Sequence, residues 1–347
     1  MTNNNRKDIA VAAALVVATA VMAGALYLTT PKVYKVHFPL IYGGHKTLQS
    51  EFSKHGIRFG FAVGAGSFRN ETTYTIIKNH AAIVGTECAT KMEYTQPMRG
   101  MFDFTEADDI VDYAEELGID VYGHSFSWSL QNPDWLDNGT FTYSELEYIL
   151  FNHVNTLSHH FEGHLVGMDA ANEGFLSCGP WCPLGTNTYV NTSLAATQLM
   201  HSNGPLRKPA AALFYNSIFP TRAEEEFALA LLDTGSIDGI GLQLHLATTT
   251  DWKRKLDSTD AFLSRIRAHS GIVRFSEVGV HQQNDSESEL QALIFAQVTK
   301  LAIKHQDIVI DYVVWGIIPP MWRGDTGLFD REGNPKSSYY SVMEALK

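Results

Sequence analysis

The stretch M-D-A-A-N-E (Met168 to Glu173) closes a compact apolar run that begins at Leu165. Such a run reads as a buried strand, and a glutamate at its open end points out of the core into a cleft. A second segment, R-F-S-E-V (Arg274 to Val278), repeats the pattern further along the chain and places Glu277 in the same situation. Two carboxylates presented in this way are the minimal kit for cleaving a glycosidic bond, one as acid/base and the other as nucleophile. One apolar run ending on a glutamate is commonplace, so the weight lies on what surrounds the pair.

Working outward, short β-branched or aromatic runs recur at Arg58 to Val63, Ala82 to Thr86, Asp120 to Phe126, Leu165 to Ala171, Ala211 to Asn216, Gly239 to His245, Gly271 to Ser276 and Asp311 to Ile317. Helical patterns separate most of them. The clearest opens at Thr105 with Asp108 as an expected capping box, carries Ala107, Ile110, Val111, Ala114 and Leu117 at helical spacing, and stops at Gly118. Strands alternating with helices predict a parallel sheet, and eight units predict an α/β fold of the (β/α)8 TIM-barrel type. An open doubly wound sheet fits less well, because the Gly-rich first turn of that fold is missing. In a barrel all strand C-termini open on one face. Glu87 and Lys91, His124 and Trp128, Asn172 and Glu173, Gln243 and His245, Glu277, and Trp315 all fall at such ends. Each has a plainer reading as well: rim packing for the tryptophans, a satisfied core position for the histidines, a surface ion pair for Glu87 and Lys91.

Composition narrows the partners. With 45% hydrophobic and 18% charged residues in 347, the chain is an ordinary folded protein rather than a disordered one. A formal charge of -12, with no basic cluster after residue 10, excludes nucleic acid and anionic membrane surface as expected partners and leaves neutral polysaccharide open. The N-terminus stands apart. After a polar tail (1–8), Ile9 to Leu28 runs without a charge and is long enough to cross a bilayer. It reads as a signal peptide, with Ala23-Gly24-Ala25 as an acceptable cleavage pattern, or as an uncleaved anchor helix weakened by its eight alanines. Residues 29–50 read as a linker and 51–347 as the single catalytic domain. The expected location is therefore secreted or membrane-anchored, outside the cytosol, with membrane contact only through 9–28. Four N-x-S/T acceptors (Asn70, Asn138, Asn191, Asn284) suit a eukaryotic secretory route and a glycoprotein. Cys178 and Cys182, in a Gly/Pro-rich loop, can close a small disulfide, which leaves Cys88 unpaired; a metal site there would lack a neighbouring His or Cys.

The segments G-T-E-C-A-T-K-M (85–92), G-H-S-F-S-W-S-L-Q-N-P-D-W-L (123–136), D-A-A-N-E (169–173), I-D-G-I-G-L-Q-L-H-L (237–246), F-S-E-V (275–278) and V-W-G (314–316) occur in this order, followed by Trp322. Together they resemble glycoside hydrolase family 10, the endo-β-1,4-xylanases, over nearly all of residues 55–347. The resemblance implies that Glu173 is the acid/base and Glu277 the nucleophile of a retaining double displacement. It implies that Asn172 binds the sugar 2-hydroxyl, that His245 contacts the nucleophile with Gln243 beside it, and that Glu87, Lys91, His124 and Gln131 bind sugars on the non-reducing side. Trp128, Trp315 and Trp322 would supply walls and stacking faces. No metal or organic cofactor is implied, and the expected partner is a β-1,4-glycan, xylan foremost.

Several positions depart from the family pattern. Cys88 stands for an asparagine, Met92 for a tryptophan, Asn216-Ser217-Ile218 for Asn-Asp-Tyr, and Gly279 for the aspartate that orients the histidine. The last change predicts a looser hold of His245 on Glu277, with a reduced rate or shifted pH optimum. The alternatives are the same mechanism on another β-glycan, and a carbohydrate-binding protein that has lost turnover.

Overall fold

A computed structural model describes residues 46–203, 211–321 and 323–347, with the side chains of 198–203 left aside. The polar tail, the Ile9 to Leu28 segment, most of the 29–50 linker and Trp322 lie outside these residues. Among the described residues no helix is long and apolar enough to cross a membrane.

Eight strands form a closed, fully parallel barrel: β1 (Arg58–Ala62), β2 (Ile83–Gly85), β3 (Asp120–Gly123), β4 (Leu165–Asn172), β5 (Ala212–Ser217), β6 (Gly239–Ala247), β7 (Ile272–His281) and β8 (Val309–Val314). Each pairs with its sequence neighbours, and β8 closes onto β1 through Arg58↔Asp311. The eight expected runs are these eight strands. Their limits differ: β2 and β3 are shorter than expected, while β7 runs on to His281, so Glu277 lies within its strand rather than after it. The strands are buried almost throughout, because helices cover the outside of the barrel and side chains fill the inside. Gly60 permits the approach of β1 to β2, since a Cβ there would meet the Ile83 carbonyl oxygen at 1.7 Å.

Two local expectations are corrected. The folded domain begins before residue 51, because Leu48–Phe52 is a helix with Thr47 and Ser50 forming a capping box. Leu48 and Phe52 are fully buried, and Phe52 packs on Phe59 and Tyr312 at 5.1 and 4.9 Å between ring centres. Thr105 does not cap the helix Thr105–Leu117. It is the first helical residue, its N–H donates to Asp103 Oδ1 at 3.0 Å, and no side chain caps from position 104. The helix ends as expected, with Gly118 in the left-handed region at φ 67°.

The lower barrel is polar. Arg58 donates to both Asp311 oxygens (2.6 and 3.1 Å) and to Asp120 (2.7 Å), and Arg274 reaches Asp311 at 2.8 Å while its guanidinium lies 3.4 Å from the Tyr122 ring centre. Arg58, Arg274 and Asp311 are buried, so the shared carboxylate is what makes two interior cations tolerable.

Candidate active site

At the open end of the barrel the predicted residues converge, because parallel strands deliver their ends to one rim. Glu277, on β7, is buried at 5% exposure. Its Oε1 accepts from Asn216 Nδ2 at 2.8 Å and lies 3.7 Å from His124 Nε2, and its Oε2 lies 2.9 Å from His245 Nε2. Burial pushes this carboxyl up. The charge of His124, the hydrogen bond and charge of His245 and the Asn216 amide together outweigh burial and hold it at about 2. A carboxylate so held is ionised throughout the working range.

Glu173 follows β4 directly, with φ 54°. Its Oε1 accepts from Gln243 Nε2 at 2.8 Å and its Oε2 from Trp128 Nε1 at 3.0 Å, both neutral donors. Among the described residues, three of the five non-glycine residues with positive φ, Glu87, Gln131 and Glu173, are predicted site residues. Backbone held in a sparsely populated region at a cleft is typical of sites where side-chain direction matters more than local stability.

The two glutamates are joined by amides. Gln243 Nε2 and Asn216 Nδ2, which serve Glu173 and Glu277, both also donate to Asn172 Oδ1, at 3.2 and 3.0 Å. The opposite orientation of the Asn172 amide would let its oxygen accept from Trp128 Nε1 at 3.2 Å. It would also let the amino group donate to the Asn216 carbonyl oxygen at 3.1 Å, but would set that group against two amide nitrogens that already donate to Glu173 and Glu277, so the oxygen is assigned toward Asn216 and Gln243.

On the other side of Glu277 lie residues expected to meet sugars on the non-reducing side. His124 is buried, its Nδ1 held 2.7 Å from Asp169 Oδ2, and Tyr122 donates to the other oxygen of Asp169. Both ring nitrogens of His124 therefore face carboxylates, Nδ1 within hydrogen-bond distance of Asp169 and Nε2 at a longer 3.7 Å from Glu277. Lys91 Nζ donates to Gln131 Oε1 at 2.6 Å and sits 4.5 Å over the Trp128 ring, so it is tied to the cleft wall and not to a surface partner. Burial pushes the Glu87 carboxyl up, against the pull of Lys91 and His124. Trp315 is 7% exposed and lies edge-on to His124 (5.0 Å) and His245 (6.2 Å), which makes it a floor beneath the histidines rather than an open stacking face. Trp322 lies outside the described residues.

Sequence reasoning missed Asn216, Asp169, Tyr122 and Ser276 as parts of the site. Ser276 donates to Asn216 Oδ1 at 2.6 Å, so the Asn216 amide is fixed at both ends. Gly241 leaves it room, because a Cβ there would sit 2.2 Å from Asn216 Oδ1. Asp169 carried a readable signal, since an aspartate inside an apolar strand has to be paired.

Paired carboxylates, one locked ionised and one served by neutral donors, fit hydrolysis of a glycosidic bond. The model of glycosyl hydrolase family 10 matches residues 47–345. The chain belongs to glycosyl hydrolase family 10. Among family 10 relatives, a Beta-1,4-xylanase of Dictyoglomus thermophilum is 26% identical over 319 residues, 82% of this chain and 88% of that protein. Endo-1,4-beta-xylanase A of Phanerodontia chrysosporium is 31% identical over 204 residues, 56% of this chain, and the chain spans about half (49%) of that protein. The crystal structure of xylanase 10B from Thermotoga petrophila RKU-1 in complex with xylobiose superimposes with a TM-score of 0.76 at 25% identity, covering 88% of this chain and 98% of that one. The family 10 fold thus accounts for the whole barrel described above.

The Cys178–Cys182 disulfide forms as expected, and Cys88 is free. Among the described residues no group of His, Cys, Asp and Glu is arranged to hold a metal ion.

Proposed function

We infer that the protein is a retaining endo-β-1,4-xylanase in which Glu277 attacks the anomeric carbon and Glu173 protonates the departing oxygen. The observation that carries this reading is the contrast between the two carboxyls. Glu277 is held at about 2 by two histidines and an amide, so it is always ready as a nucleophile. Glu173 takes its hydrogen bonds from two neutral groups, an indole and an amide, and not from the histidines that hold Glu277. After the glycosyl-enzyme forms, the same Glu173 takes a proton from the incoming water. In this reading Asn172 binds the sugar hydroxyl next to the reacting carbon, and Trp128 covers an apolar sugar face. The family relatives named as xylanases support xylan as the glycan. Incubation with xylan, followed by NMR of the first-formed reducing ends, tests this. New ends of β configuration are expected; α ends would require inversion and remove Glu277 as nucleophile, and affinity without new ends would leave a binding protein.

The chain is further proposed to act outside the cytosol, delivered by residues 9–28 as signal or anchor. The Cys178–Cys182 bond suits an oxidising compartment, and Asn70, Asn138, Asn191 and Asn284 are all exposed and open to glycosylation. Expression in a eukaryotic secretory host, with glycosidase digestion and N-terminal sequencing, distinguishes a cleaved, glycosylated product from an anchored or cytosolic one.

A further inference from the structure

A second hollow lies on the same rim, on the far side of Glu87. It has a volume of about 430 Å³, within the roughly 300–1,000 Å³ typical of small-molecule sites. Three rim segments wall it: Ala65, Gly66 and Arg69 after β1, Ala89 and Tyr94 after β2, and Asp103, Thr105, Glu106 and Asp109 at the start of the helix Thr105–Leu117. None of these residues has a part in the chemistry derived above.

The wall between this cavity and the cleft is chemically continuous. Gln131 Nε2 donates to Cys88 Sγ at 3.3 Å, the Cys88 sulfur meets the Tyr94 hydroxyl, and the partly exposed Tyr94 lines the cavity. Glu87 bridges the other flank: beyond the effect of its burial, its carboxyl feels Lys91 and His124 pulling it down and both Glu106 on the cavity side and Glu277 on the cleft side pushing it up. Glu87 thus stands between Glu277 and the hollow.

The lining selects the ligand. Arg69 is ion-paired with Asp109, and Asp103 and Glu106 add two more carboxylates, so negative charge exceeds positive. An anionic group such as a uronate is repelled by such walls. A neutral sugar suits them, since its hydroxyls both donate to carboxylates and accept from a guanidinium, and its C–H face covers a phenol ring.

We propose that this cavity binds one further neutral sugar of the glycan, beyond the sugar next to Glu87 and Lys91, with Tyr94 as its stacking face and Arg69 and Glu106 as its hydroxyl partners. This rests on the glycan-hydrolase reading above and extends it to the shape of the substrate. Cys88, where the family pattern has asparagine, spaces Tyr94 from Gln131 while offering only a weak hydrogen bond of its own. Recognition thereby moves outward from the cleft onto Tyr94.

The test measures kcat/KM on linear xylo-oligosaccharides of increasing length and on ones bearing a neutral arabinosyl branch, for the wild-type chain, Tyr94→Ala and Arg69→Ala. The sugar that reaches the cavity raises wild-type kcat/KM about tenfold, and the ratio of long or branched to short substrate falls by about the same factor in each variant. Tyr94→Phe, which keeps the ring, retains most of that ratio and so separates stacking from a folding defect. A rise with longer linear chains assigns the cavity to the glycan backbone, and a rise confined to branched chains assigns it to the side sugar; both support the site. An equal ratio in wild type and variants, or no rise in either series while short substrates are cleaved, overturns it. Failure of the wild type to cleave any of these substrates removes the hydrolase reading, and the subsite with it.

Discussion

His245 and Gly279 face each other across β6 and β7, and a side chain begun at Gly279 would place its Cβ 3.8 Å from His245 Nδ1. Its nearest other neighbour would be Thr326, at an ordinary van der Waals distance of 3.5 Å. The position carries no carboxylate, and a Cβ there would make only ordinary contacts. Gly279→Asp is therefore expected to hold the His245 ring toward Glu277 and to favour its charged form, raising xylan turnover or moving the alkaline limb of kcat/KM to higher pH. Unchanged turnover and an unchanged profile, with the fold intact by circular dichroism, would mean that the site has been rebuilt around glycine.

The two glutamates should respond differently to removal. Glu277→Ala abolishes cleavage of every glycoside, because no covalent intermediate forms without its nucleophile. Glu173→Ala lowers kcat/KM on xylan by about 10²–10⁴-fold. With an aryl glycoside whose leaving group needs no proton, the Glu173→Ala enzyme still forms the intermediate, which accumulates and is released faster by azide. Wild-type activity in either variant contradicts the assignment.

Asn216→Ala removes the amide that donates to Glu277 at 2.8 Å. A hydrogen bond to a charged group contributes about 1.5–3 kcal/mol, so kcat/KM is expected to fall about 10- to 100-fold. The sign of the pH effect follows from the same loss: with one stabilising donor fewer, the Glu277 carboxyl rises from about 2 and the acid limb of the profile moves to higher pH. An acid limb at its original position would show that the histidines alone set it.

His80 governs a separate pH effect, on stability. Burial pushes its imidazole down from 6.5 to about 4, and its Nδ1 accepts from the Leu48 N–H at 3.3 Å. Between those values the unfolded chain binds a proton that the folded chain does not, so stability falls as pH drops from 6.5 toward 4. His80→Gln should flatten that fall by roughly 1–3 kcal/mol in urea titrations across the window. An equally steep loss in the variant would assign the acid sensitivity to other groups, of which the buried His153 is the next to examine.

Much of this was legible from residue order alone, and the exceptions have physical reasons. The eight strands were readable because a parallel barrel buries both faces of each strand, leaving uninterrupted apolar runs. Glu173 and Glu277 were readable because they end or interrupt such runs. Asn216 was not: at the end of its run it looks like any turn-forming asparagine, and its importance comes from Ser276 and Gly241 on neighbouring strands. His124 was placed in the site without its protein neighbours, since only the fold shows Asp169 and Glu277 on either side of its ring. The helix Leu48–Phe52 escaped notice because five residues are too few to display a period.

The ion pairs of the lower barrel bear on the order in which the molecule can be completed. Arg58 and Asp311 are separated by 253 positions, and Arg274, three residues before the nucleophile, shares the same carboxylate. While the chain is being synthesised, β1 and β7 each lack a neighbour until β8 emerges; Arg58 then has only Asp120 for a counter-charge, and Arg274 lacks the Asp311 carboxylate that lets it enter the interior. The strand bearing Glu277 is anchored only when nearly the whole polypeptide has been made. Catalytic competence then arrives late and all at once, and a prematurely terminated chain carries both glutamates without a barrel to aim them.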